Sequence, residues 1–268
     1  GAPRPTAAGR RAAVASRRAC PILLSTMALA QARVIRGAVA TLGVSQRVSF
    51  LRRTYAHLGV ALLAFVALTA GLLQTEASER ISLSLLQGNG SWLLVMLLFM
   101  AIGWGAERLA RSPTSVALQY AGLALGVIGE ALMLQPMLWL AYYTSRSTAD
   151  FHHLGFTAAL ITGTIFVGLT LTVFVTKKDF SFLRGALMIA SFAALGVILV
   201  SMLFGFQLGA LFSGAIILLM AGYILFQTSQ VMSTFPPQAH VAAALMLFST
   251  IATLFWYVLR LLMELNRR

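Results

Sequence analysis

Residues 163–187 read GTIFVGLTLTVFVTKKDFSFLRGAL, and the order of these residues decides the fold. The first half, Gly163–Val175, carries no charge and sets Gly163, Thr164, Gly168 and Thr170 among branched and aromatic residues. Small residues at such spacing let helix backbones approach closely in an apolar solvent. Thr176-Lys177-Lys178-Asp179 then breaks the run, and an apolar stretch resumes at Leu183. Extended outward, the two halves become Leu154–Thr176 and Leu183–Phe204. Each is close to the roughly 20 apolar residues needed to cross a bilayer core. The stretch is a pair of membrane spans joined by a short charged turn.

The rest of the chain repeats this pattern. Further spans are expected at His57–Leu73, Trp92–Ala106, Val116–Tyr142, Leu208–Val231 and Val241–Leu262, which makes seven in all. The Trp92 span is short and extends toward Leu109, and the Val116 span is long enough to tilt or kink at Pro136. Of the 268 residues, 59% are hydrophobic and 10% charged, with a mean hydropathy of +0.86. Soluble domains average about 45–50% apolar and about 25% charged, so a soluble cytosolic enzyme is excluded. The loops are too brief to hold an inserted domain, so any chemistry would have to sit inside the bundle or at its rims. No His-Glu-x-x-His, Gly-x-Ser-x-Gly or phosphate-loop motif occurs. No enzymatic activity and no cofactor are expected. The single cysteine, Cys20, excludes an intrachain disulfide and a cysteine metal site.

Charge divides the chain in two. Residues 1–53 hold ten arginines and no acid, a basic arm, and residues 54–268 form the membrane domain. The arm lacks the interleaved aromatics that stack on bases, so anionic lipid rather than nucleic acid is its expected partner. Its Arg, Ala and Ser content resembles an organellar transit peptide, while Met27 offers an alternative start. From Ala28 to Arg53 a surface-lying amphipathic helix is one reading. Lys/Arg bias places the arm inside, together with the loops bearing Arg108, Arg111, Lys177, Lys178 and Arg184. Arg267 and Arg268 would then lie outside, and we read the arm as outweighing them. The expected location is a bacterial plasma (inner) membrane or an organellar inner membrane.

Charge within a span is costly and marks candidate function. Glu130 lies near the middle of its span, between Gly129 and Ala131. Two readings stay open: a proton or cation site, or a neutral carboxyl hydrogen-bonded to a neighbouring helix. Arg108 is the nearest expected partner in sequence logic. Gly122 and Gly126 form a small-xxx-small packing face. His152-His153 stands beside Asp150, but adjacent side chains on regular structure point apart, and no metal site is expected. His57 and His240 are placed at the membrane interfaces.

The stretch from Gly163 to Leu187 resembles the fourth-helix, loop and fifth-helix signature of the Bax inhibitor-1 family, which includes a bacterial YccA-like branch. Ser213-Gly214 through Gly222-Tyr223-Ile224-Leu225-Phe226 is similar to that family's sixth helix. Ala242-Ala243-Ala244-Leu245 through Leu259-Arg260-Leu261-Leu262 is similar to its last. The resemblance implies six helices around a central C-terminal seventh. It also implies two aspartates sharing a proton that gate a calcium leak by pH. Those positions read Gln227 and Thr250 here, with Ser249 beside the second, and neither Gln nor Thr titrates. Gating by this pair is therefore expected to be absent, with any pH response left to Glu130. The YccA-like resemblance implies a regulator or stress-protective protein that restrains a membrane-bound AAA protease. The alternative is a pH-sensitive calcium or cation leak through Glu130.

Overall fold

The computed structural model describes Val39 and residues 43–87, 91–113, 115–206 and 208–266. Most of the basic arm, with Cys20 and Met27, and the terminal Arg267 and Arg268 lie outside the described residues. What is described is helical, in the order α1 (Val44–Leu72), α2 (Glu76–Gln87), α3 (Ser91–Ala110), α4 (Val116–Thr144), α5 (Thr148–Thr176), α6 (Leu183–Phe204), α7 (Ala210–Ser233) and α8 (His240–Asn266). In lipid no water is at hand to satisfy backbone amides, so helices are the form such segments take. Six of these helices, α1 and α4 through α8, are long and apolar enough to cross a membrane.

Two sequence boundaries move. The first helix begins at Val44 rather than His57, so the last arginines of the arm, Arg47, Arg52 and Arg53, ride on the first turns of α1. The stretch after it is not a plain loop. Glu76–Gln87 forms the short helix α2, with Glu76 and Glu79 in its first turn, where carboxylates complement the helix dipole. α2 packs on α4. Ser78 Oγ donates to Gln135 Oε1 at 3.1 Å, Trp139 Nε1 donates to Ser78 Oγ at 3.2 Å, and Gln135 Nε2 donates to the Thr69 carbonyl at 3.3 Å. Pro136 is accommodated inside α4 without ending it.

The C-terminal helix is the hub. α8 packs against α1, α3, α4, α5 and α7, whereas α6 packs chiefly on α7. In its most apolar window 67% of α8 residues are buried, compared with 61% for α4 and 6% for α6. The C-terminal helix is thus central, as expected, but it shares that place with α4. Small residues make this crowding feasible: Ala242, Ala243 and Ala244 are all within 5% of complete burial. The tightest approach is between α3 and α4. A Cβ on Gly122 would collide with the Ala110 amide nitrogen and the Ala106 carbonyl, both backbone atoms that cannot swing away. Gly126 faces the Leu245 side chain of α8. The Gly122/Gly126 face is therefore a packing device.

We call the end of the bundle where α1 begins the arm side, and the opposite end the far side. On the arm side Val39 is completely buried, and its backbone N–H donates to the Phe235 carbonyl at 2.9 Å, in the turn between α7 and α8.

The glycines predict a contrast. Gly122→Ala should lower the detergent-solubilised melting temperature, because α3 and α4 must separate. Gly155→Ala, whose Cβ would meet nothing within 4 Å, should leave it unchanged or slightly raised, since Ala is favoured over Gly in a helix by about 1 kcal/mol. Thermal unfolding of both variants, followed by circular dichroism, checks the pair.

Candidate functional site

Polar residues recur along one stripe of α8: Ser249, Thr253, Trp256, Arg260 and Glu264, at steps of three or four residues. Such spacing keeps them on one face, and the stripe runs about 22 Å from Ser249 to Glu264 at 1.5 Å per residue. Most of it faces a cavity of about 600 Å³, closed by α4 on the other side and flanked by α3 and α6. Glu130, Thr253, Trp256, Tyr257, Arg260 and Glu264 all line it. Its remaining wall is apolar and rich in methionine, including Met133, Met137, Met202 and Met263.

Glu130 faces this space from the middle of α4, with Ser249 of α8 beside its carboxyl. Among the described residues it has no ion-pair partner. Arg108 does not fill that role. It lies exposed at the arm-side end of α3 with its guanidinium 5.4 Å from the Trp104 ring centroid. The cation that does share the cavity is Arg260, which sequence reasoning did not single out. Its Nε is 3.1 Å from Glu264 Oε1, its Nη2 donates to the Leu208 carbonyl at 2.5 Å, and its guanidinium lies over the Trp256 ring. The signal available for it was an Arg and a Glu at i and i+4 near the end of the last apolar run. Arg260 is thus committed, while Glu264 Oε2 and Trp256 Nε1 are buried with no hydrogen-bond partner.

One residue further along α8, the other side of the helix carries a second polar contact. Thr250 Oγ1 donates to Gln227 Oε1 of α7 at 2.9 Å, with the Met246 carbonyl a longer alternative acceptor at 3.2 Å. The positions at which the resemblance places two aspartates are therefore in direct contact, joined by a neutral hydrogen bond. Two carboxylates so close could not both ionise. A hydroxyl and an amide hold the same geometry at every ordinary pH.

Toward the arm side, α7 meets the loop that contains the signature Lys177-Lys178-Asp179. Lys177 closes α5 in a left-handed conformation. Asp179 Oδ1 accepts from the Ser181 amide at 2.9 Å, the Ser181 hydroxyl at 2.5 Å and the Ser229 hydroxyl of α7 at 3.3 Å. The Phe180 amide in turn donates to Ser229 Oγ at 3.1 Å. The Ser181 donors hold the Asp179 carboxyl below its ordinary range. On the same side the two histidines placed singly at interfaces come together. His57 Nε2 is 2.8 Å from the Tyr120 hydroxyl, and its ring centroid is 5.0 Å from that of His240. His152 and His153 lie in the first turns of α5, and no group of three possible metal ligands occurs among the described residues.

Both the signature loop and the helices around it have counterparts among known proteins. Residues 47–267 match the family model described as Bax1-I, Inhibitor of apoptosis-promoting Bax1. The chain belongs to the Bax inhibitor-1 family. It is similar to Bax inhibitor 1 of Schizosaccharomyces pombe (strain 972 / ATCC 24843), with 28% identity over 231 residues, 84% of this chain and 79% of the relative. Together with the six long apolar helices, the family makes this a multi-pass integral membrane protein.

Two outcomes test the site's energetics. Thr250→Val should destabilise the bundle by about 1 kcal/mol, near the 0.6–2 kcal/mol of interhelical hydrogen bonds in membranes, measured by unfolding in mixed micelles. For Asp179 the depressed carboxyl sets the sign. Its contribution is fully present above the ordinary carboxylate range and is lost only as pH falls through its lower folded value. Acidification from pH 7 to 5 should therefore leave the loop's amide protection factors, exchange relative to the intrinsic rate at each pH, unchanged, whereas Asp179→Ala should lower them at pH 7.

Proposed function

We propose that the protein is a Bax inhibitor-1-type regulator of ion homeostasis that acts as a cation leak, with Glu130 the acidic group on its path. The observation that carries this reading is the position of Glu130. It is a mid-helix carboxyl facing a cavity of about 600 Å³, with no ion-pair partner among the described residues. A carboxyl so placed offers a cation or proton a site where lipid offers none. The Arg260–Glu264 pair lines the same cavity toward the far side. The α3 helix, 20 residues or about 30 Å long, also crosses in this reading and completes seven spans. The basic arm then faces the inside, by the Lys/Arg bias of the arm and loops.

Conduction in this protein differs from that of a family member with two aspartates, since its inner contact carries no titratable group. Calcium flux into proteoliposomes between pH 6 and 8, with Glu130→Gln alongside, tests the proposal. Flux that is lost in Glu130→Gln is the expected result. No flux above empty liposomes from folded protein would overturn it. Regulation through a protein partner, such as a membrane-bound AAA protease, would then be the reading to pursue. A second variant tests the gating: Gln227→Asp with Thr250→Asp restores two carboxylates in contact. Because they share one proton, the double variant should show a steeper pH dependence of flux than the native chain.

A further inference from the structure

We infer that the cavity between α3, α4, α6 and α8 is a binding site for a long-chain amine drawn from the bilayer, its ammonium held by Glu130. Size and shape suit such a molecule. A volume of about 600 Å³ falls within the range of small-molecule sites, about 300–1,000 Å³. The part of the polar stripe that lines it, Thr253 to Glu264, is about 16 Å long, which favours an elongated rather than a compact occupant. The wall is largely apolar, and its five methionines, Met96, Met133, Met137, Met202 and Met263, are unbranched side chains that adapt to irregular apolar ligands.

The route in is lateral. α6 packs chiefly on α7, outside the cavity, and has no close packing with α3, the helix on the cavity's other flank. α6 is also the least buried long helix. Entry between them is from the lipid phase, the phase in which an alkyl chain is dissolved.

Charge selects the head group. Two carboxyls and one guanidinium line the cavity. The guanidinium is already bonded to Glu264 Oε1 and the Leu208 carbonyl. Left over are the Glu130 carboxyl and Glu264 Oε2, together with one neutral donor, Trp256 Nε1, the last two buried without a partner. The two carboxyls outnumber that single donor and want more. A carboxylate head group would meet these acceptors with no free cation to hold it, whereas an ammonium provides charge and donors together. This binding goes beyond the leak and does not require that ions pass.

The test uses full-length protein in lipid nanodiscs and a diazirine-bearing dodecylamine as probe, with labelled residues mapped by peptide mass spectrometry. Label is expected on cavity segments of α4, α6 and α8, including those holding Met137, Met202 and Met263. Dodecylamine should compete at about tenfold lower concentration than dodecanoate or dodecanol. Glu130→Gln should weaken labelling about tenfold. Should that variant fail to fold, Met202→Trp, which fills the cavity from α6, should abolish labelling at the same segments. Equal competition by all three head groups would overturn the amine assignment, as would preference for dodecanoate. Labelling confined to lipid-facing residues such as Ile189, Phe192 and Leu211 would overturn the site. Labelling without calcium flux would sink the leak and leave this site standing, and flux without labelling would do the reverse.

Discussion

Helices immersed in hydrocarbon gain little by hiding leucine from it, so this bundle depends on close backbone approach and on hydrogen bonds between helices. α8 supplies both. Its alanines Ala242–Ala244 let neighbours crowd in at the arm-side end, and its hydroxyls reach α4 through Ser249 and α7 through Thr250. The same helix that carries the packing therefore carries the polar groups of the candidate site. A helix central enough to touch five others is also a place where a polar side chain can be kept from lipid.

The arm-side loop shows how a family signature can be a physical device. Asp179 is the centre of that device. It closes a turn on Ser181 and reaches across to Ser229, so that the junction of α5 and α6 is tied to α7. Lysines before it end α5, and the left-handed Lys177 reverses the chain there. The small polar residues in the motif are those a short membrane hairpin needs to satisfy its exposed amides.

Much of the fold was legible because lipid permits so few solutions. Uninterrupted apolar runs located six long helices, and the glycine face of α4 marked a close approach that the structure places at Ala106 and Ala110. The errors arose where a helix is polar. Arg47, Arg52 and Arg53 hid the true start of α1 because composition there reads as a tail, and α2 is too short and too charged to register as a span. The site was half legible. Glu130 announces itself as a lone carboxyl in an apolar run, and the Gln227–Thr250 contact followed from resemblance to a family that holds two acids there. Arg260 and Glu264 escaped because charges near a chain end read as a solvated tip, and only the depth of the cavity brings them inside. Pairing Glu130 with Arg108 failed because sequence proximity along neighbouring helices says nothing of depth in the bundle.

The backbone link between Val39 and Phe235 has a consequence for any cut made in the arm. A cut beyond Val39 removes that link. Past that residue the cut withdraws a fully buried side chain and leaves the Phe235 carbonyl without its donor. The turn that Phe235 belongs to leads into His240 and the first turn of the hub helix. A single amide of the arm is therefore felt at the base of α8.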